Sequence, residues 1–204
     1  MSRAWIEFAG AALRNPRIVS TPIPTSRALA GRLTAAVDEA PPGMIVELGA
    51  GAGAITAPLT ERARGPILAV ELDPALARYL QAEFPAVRVE QGRAQDLGRW
   101  VQRSGAAAVV CSLPWSLMPQ SARCEVLDCV VDALAPDGVF STYMCVHTFL
   151  SPSTWSFLGA ARERFRSVEV RSVEWRNTPP ALHVVARGQL GRRAADEARS
   201  THAG

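Results

Sequence analysis

The chain contains no lysine: all 22 of its basic residues are arginine. That excludes Schiff-base chemistry, a P-loop lysine and a lysine general base. Cysteine is sparse, with only Cys111, Cys124, Cys129 and Cys145. No two of them form a C-x-x-C pair, and none stands at paired-ligand spacing from His147, His183 or His202, so no metal site is expected. They read as reduced, buried small hydrophobes of a cytosolic protein. No apolar run in the chain reaches the ~18 residues that a membrane-spanning helix needs. Residues 1–10 show no basic region followed by an apolar stretch, so a secretory signal is not expected. The net charge of +3 is not gathered into a dense basic stripe, so nucleic acid is not an expected partner.

What is present is one domain's worth of sequence. At 204 residues and 48% hydrophobic, the chain can bury a core without metal or disulfide staples. From Met44 onward, short apolar runs alternate with helical segments. The runs are at 44–48, 67–72, 87–90, 107–113, 138–144, 167–175 and 182–187; the helical candidates lie at 53–63, 74–84, 95–103, 119–134 and 153–165. This alternation predicts a doubly wound, Rossmann-like α/β sheet of about seven strands. Residues 176–180 are too few for a crossover helix, so the last two strands are expected to be antiparallel. Ahead of the domain, residues 2–13 have helical spacing and Asn15-Pro16 ends them. A second helix, capped by Thr25 or Ser26, runs to about Ala40. We read residues 1–40 as a helical lid, 41–188 as the ligand-binding domain and 189–204 as a mobile polar tail.

The strongest signal is Glu47-Leu48-Gly49-Ala50-Gly51-Ala52-Gly53, where a strand runs into three alternating glycines and then a helix. Small residues let the backbone turn sharply and approach a ligand near a helix N-terminus. The second strand ends at Glu71, 22 residues beyond Gly49, where a carboxylate can accept hydrogen bonds from both hydroxyls of a ribose. Leu72 follows and can pack on an adenine face. Together these point to an adenosine-containing cofactor. Gly49, Gly51 and Ala54 satisfy the looser dinucleotide pattern, but Glu47 stands where an acidic group can bind an amino group. The glycines also continue to Gly53, and there is no room for a second substrate domain. S-adenosylmethionine is therefore the expected cofactor.

The stretch from Met44 to about Val146 resembles the class I S-adenosylmethionine-dependent methyltransferases. It matches their Glu/Asp-x-Gly-x-Gly-x-Gly motif at Glu47, Gly49, Gly51 and Gly53, and their acidic second-strand end at Glu71. Residues 91–97 resemble the segment that lines the adenine in such enzymes. Arg93 replaces that segment's aspartate, which leaves the Ala94 N–H, with Asp96, to read the base. Over nearly the whole chain, the segments at 13–16, 24–30, 112–114, 118–119 and 175–181 are similar to bacterial phospholipid N-methyltransferases. Ribosomal RNA adenine dimethylases are more distant relatives by the same motifs; the chain lacks their helical RNA-binding domain.

That resemblance implies an amine acceptor at the carboxyl ends of the later strands. The segment Cys111-Ser112-Leu113-Pro114-Trp115 occupies the place of an Asn-x-Pro-aromatic motif. On this reading Ser112 stands beside the cofactor, Pro114 beside the acceptor, and Trp115 supplies an aromatic face for a cation. Tyr143 matches a tyrosine near the acceptor site, and His147 is a candidate general base. Arg176 and Asn177 approach from the final hairpin, Arg176 as the contact for an acceptor phosphate. Trp5, Ile6 and Phe8, with Arg3, Arg14 and Arg17 nearby, make residues 1–17 a candidate peripheral contact with the inner membrane face of a cytoplasmic enzyme. The expected acceptor is the amine of an ethanolamine phospholipid. A soluble specialised metabolite undergoing methylation, related alkylation or ring closure is the alternative, and a non-catalytic ligand-binding protein a third reading. The sequence leaves the oligomeric state open.

Overall fold

The structure, a computed structural model, describes residues 25–190. The helix expected over 2–13, the membrane contact expected through 1–17 and most of the polar tail lie outside the described residues. The Ser26 hydroxyl accepts the Leu29 N–H at 3.2 Å and caps α1 (Arg27–Ala35). A 3-10 turn (Ala36–Glu39) follows. The sheet then begins: β1 (Met44–Leu48), α2 (Thr56–Arg62), β2 (Ile67–Glu71), α3 (Pro74–Glu83), β3 (Arg88–Gln91), β4 (Ala106–Cys111), α4 (Gln120–Ala133) and β5 (Leu134–Cys145). After β5 come α5 (Pro152–Arg162), β6 (Phe165–Glu174) and β7 (Ala181–Gln189).

The seven strands form one sheet in the order β3-β2-β1-β4-β5-β7-β6. The first five are parallel. β7 lies antiparallel between β5 and β6, so the expected pair forms with its second strand inserted inward. β2 and β4 are buried along their whole length, as strands covered on both faces must be. Alternate residues go to opposite layers. Val46, Leu48, Val70, Val109 and Phe140 pack with α4 and α5, through Val126, Leu127 and Phe157. Ile45, Ala69, Val110, Val139 and Val185 pack with α1, α2 and α3, through Leu29, Leu33, Leu59 and Leu80. Residues 29–37 thus contribute to the core beneath the sheet. Arg32 also reaches Glu174, and Glu39 pairs with Arg171 and Arg187, tying this segment to the β6–β7 hairpin.

Two elements differ from the sequence reading. The helix expected at 53–63 starts only at Thr56, because Gly49, Gly51 and Gly53 take φ of 78°, 58° and 85°, which a right-handed helix cannot use. The helix expected at 95–103 is a 3-10 turn (Ala94–Arg99): Gly98 weakens its interior, and the chain leaves through Ser104 at φ 58°. The order of β1 relative to its neighbours reverses between β2 and β4. That switch point opens a crevice at the carboxyl ends of the strands.

Candidate active site

The glycine turn is held from three sides. Gly49 N–H donates to the Val70 carbonyl at 2.9 Å. Ser112 Oγ donates to the Gly49 carbonyl at 2.5 Å, and Gly51 N–H donates to Glu71 Oε2 at 2.7 Å. A side chain on Gly49 would stand 3.1 Å from Leu113, and one on Gly53 only 2.4 Å from the Phe84 ring. The turn thus needs glycine for both its φ values and its close packing. Glu71 ends β2 with its second oxygen accepting the Asp73 N–H at 2.8 Å. Burial raises its pKa despite these amides. Asp73 in turn caps α3, accepting the Ala75 and Leu76 N–H groups, with Pro74 at the first helical position.

Glu47 lies inside β1, fully buried. One carboxyl oxygen accepts the Thr56 hydroxyl at 2.7 Å; the other, Oε1, has no partner among the described residues. Burial pushes its pKa up to about 8. Even as a neutral carboxyl, a buried polar atom without a partner is costly, and a cationic or N–H donor would relieve it. The end of β1 therefore fits a ligand ammonium, the end of β2 fits vicinal hydroxyls, and Leu72, 43% exposed, offers an apolar face beyond them. Ala94 is buried at the start of its 3-10 turn, while Arg93 is exposed. This set suits an adenosyl amino acid.

A pocket of about 150 Å³ adjoins the turn at the carboxyl ends of β4 and β5. It is lined by residues 113–117 and 143–145 with His147 and Thr148. Leu113, which a side chain at Gly49 would touch, also lines this pocket, so the two sites share a wall. The Tyr143 hydroxyl is hydrogen-bonded by the Thr25 side chain, and burial raises its pKa, keeping it a neutral phenol. His147 is exposed on the 3-10 turn Val146–Leu150. Burial also raises the Cys145 thiol, and pushes that of Cys111 up to about 12, so neither is a thiolate. Cys111 is buried as expected; the other three cysteines are half-buried.

A family profile described as a methyltransferase domain matches residues 45–138. The ornithine lipid N-methyltransferase of Singulisphaera acidiphila is 31% identical over 153 residues, covering 71% of this chain and 76% of that one. The chain belongs to the class I S-adenosylmethionine-dependent methyltransferases. Solved structures agree in fold. A TehB-like S-adenosylmethionine-dependent methyltransferase from Corynebacterium glutamicum superimposes with TM-score 0.62 at 19% identity, covering 90% of this chain and 98% of that one. A predicted O-methyltransferase from Agrobacterium tumefaciens gives TM-score 0.63 at 15% identity, covering 80% and 81%.

In this methyltransferase the expected site residues do not all gather at the crevice. Glu47, Gly49, Gly51, Gly53, Glu71 and Leu72 lie together at the ends of β1 and β2, and Pro114, Tyr143 and His147 line the pocket. The open aromatic face expected of Trp115 is corrected. Its ring is 2% exposed and packed between Phe157 and Phe140, with Nε1–H donating to Thr142 at 2.7 Å. The indole is held by the core, so it cannot cover a cation. Asn177 is corrected likewise. It is 6% exposed, its Oδ1 accepts the Ser26 N–H at 2.9 Å and its Nδ2 donates to the Pro179 carbonyl at 2.7 Å, so its amide is already satisfied. Arg176 is exposed and outside the pocket lining. The Ser112 hydroxyl is occupied by the glycine turn. Residues that sequence reasoning missed include Thr56, Thr142 and Thr148. Nothing in their local pattern marks them, because their partners lie on other elements. Asp73, by contrast, was readable as an Asp-Pro helix start.

Proposed function

We propose that the acceptor is the primary amine of a lipid headgroup, of the ethanolamine phospholipid type. The observation that carries this reading is the small pocket sharing Leu113 with the glycine turn, mostly apolar and flanked by Tyr143 and His147. The ornithine lipid N-methyltransferase supports it as a relative named for an amine-bearing lipid. Among the described residues no helix is long and apolar enough to cross a membrane.

S-adenosylmethionine, when bound, supplies an electrophilic methyl carbon. The chain's part is placement and exclusion of water. Glu47 and Thr56 hold the amino end, Glu71 the ribose and Leu72 the base. The neutral Tyr143 hydroxyl accepts a hydrogen bond from an acceptor N–H and turns its lone pair toward the shared wall. His147 takes the proton that the amine must lose.

The test is mass spectrometry of products after incubation with methyl-labelled cofactor. Phosphatidylethanolamine vesicles, an ornithine-lipid vesicle and soluble ethanolamine serve as separate acceptors. Label in a lipid headgroup is expected. Label only in soluble amines, or in none of the three, overturns the lipid assignment and returns the soluble-metabolite reading.

A further inference from the structure

Arg123 lies in the first turn of α4 and is 5% exposed. Its Nη1 donates to the Ser153 carbonyl at 2.9 Å and the Trp115 carbonyl at 3.3 Å, and its Nη2 to Ser156 Oγ at 3.4 Å. These partners are all neutral, and among the described residues its Nε–H has none. A buried guanidinium without a counter-charge is a poor stabiliser compared with an apolar side chain of equal volume. Its connections offer a better account.

Trp115 belongs to one wall of the pocket. Ser153 belongs to the first turn of α5, which holds the other wall. Thr154 Oγ1 donates to the Thr148 carbonyl at 2.7 Å, the Ser151 N–H donates to the same carbonyl at 2.8 Å, and Thr148 Oγ1 donates to the Cys145 carbonyl at 2.7 Å. Thr148 and Cys145 both line the pocket. A single guanidinium nitrogen, Nη1, thus reaches both walls through backbone carbonyls, while Nη2 of the same planar group turns to Ser156.

We propose that Arg123 is a positioning residue that sets the separation of the two pocket walls, and so the fit of the acceptor. The proposal rests on reading this pocket as the acceptor site. Arg123 touches neither cofactor nor acceptor; it acts through the Trp115 and Ser153 backbones.

The test is hydrogen exchange of Arg123→Met and Arg123→Lys beside the parent. It is combined with S-adenosylhomocysteine calorimetry and methyl transfer to phosphatidylethanolamine vesicles. In Arg123→Met, exchange at 113–118 and 145–152 is expected to rise about tenfold or more while 44–56 stays unchanged. S-adenosylhomocysteine affinity should stay within about twofold, and acceptor KM should rise about tenfold, far more than kcat falls. Arg123→Lys, whose one ammonium nitrogen can offer both donations from a shorter stem, should recover part of the protection at both walls and part of KM. Unchanged exchange at both walls, or an even rise across the whole sheet, overturns the proposal. If Arg123→Met fails to fold, Arg123→Gln, too short to bridge the two carbonyls, decides: two walls as protected as in the parent refute the clamp. If the parent transfers no methyl to vesicles, the headgroup reading falls while the exchange pattern still judges Arg123.

Discussion

The two ends of the crevice are built by opposite rules. At the ends of β1 and β2 polar groups wait for a partner: among the described residues Glu47 Oε1 is buried with none, and Glu71 is engaged only by main-chain amides. At the ends of β4 and β5 and in the final hairpin, side chains are already committed to the protein: Trp115 to Thr142, Asn177 to Ser26 and Pro179, Arg123 to two carbonyls. On the proposed reading, the first region gives up stability that a bound ligand would restore. The second uses its hydrogen bonds to hold walls apart around a small space.

Breaking the first region should have the largest effect. Gly53→Val forces a β-branched side chain into a positive φ and against Phe84. Titration with S-adenosylhomocysteine should show affinity lowered by about a hundredfold or more, with a lower melting temperature. Unaltered binding would mean that the turn is not the cradle. Glu71→Ala should lower that affinity by about thirtyfold, roughly 2 kcal/mol for two charge-assisted hydrogen bonds, while the fold survives.

Glu47 sharpens the contrast through pH. Its pKa is about 8 folded against 4.5 for the free side chain. The folded state therefore binds more protons across that window, and its contribution is fully present below 4.5 and lost as pH rises through 8. Urea unfolding without cofactor should show stability falling from pH 6.5 to 8, and Glu47→Gln should flatten that slope. A slope kept in the variant would assign it elsewhere. Asn177→Ala should cost about 1–2 kcal/mol of stability by stranding the Ser26 N–H, with acceptor KM and cofactor affinity unchanged. A raised KM with unchanged stability would restore Asn177 as a substrate contact.

The smallest effect belongs to His183, opposite Tyr143 on β7. Burial, with Arg171 and Arg32 nearby, lowers its pKa to about 4 from 6.5. The unfolded state binds the extra proton, so stability from this group is full above 6.5 and is lost as pH falls toward 4. His183→Gln should lessen acid sensitivity measured by urea unfolding between pH 6.5 and 5. The acid slope would then belong to the hairpin half and the alkaline slope to the cofactor half.

The glycine turn and the carboxylates beside it were legible from residue order, and the fold brings them together as expected. Glu47, the three glycines and Glu71 announce themselves because the backbone itself shapes this turn, and local residue order dictates backbone shape. Strand and helix alternation was legible for the same reason, down to the antiparallel last pair. The acceptor side was not. Trp115 beside a proline reads as a binding aromatic, yet Phe140, Phe157 and Thr142, distant in sequence, claim its ring. Asn177 reads as a free turn amide until Ser26 arrives from the other end of the chain. Arg123 looks like an ordinary surface arginine on a helix.

Residue order alone therefore determined the alternating architecture, the bend after β1 and the carboxylates that flank it, since each depends on neighbours a few positions away. Only the tertiary structure decided which polar side chains stay open to a ligand and which are consumed by the protein. That outcome is set by contacts across up to 151 positions of sequence, as between Ser26 and Asn177, and no local pattern carries it.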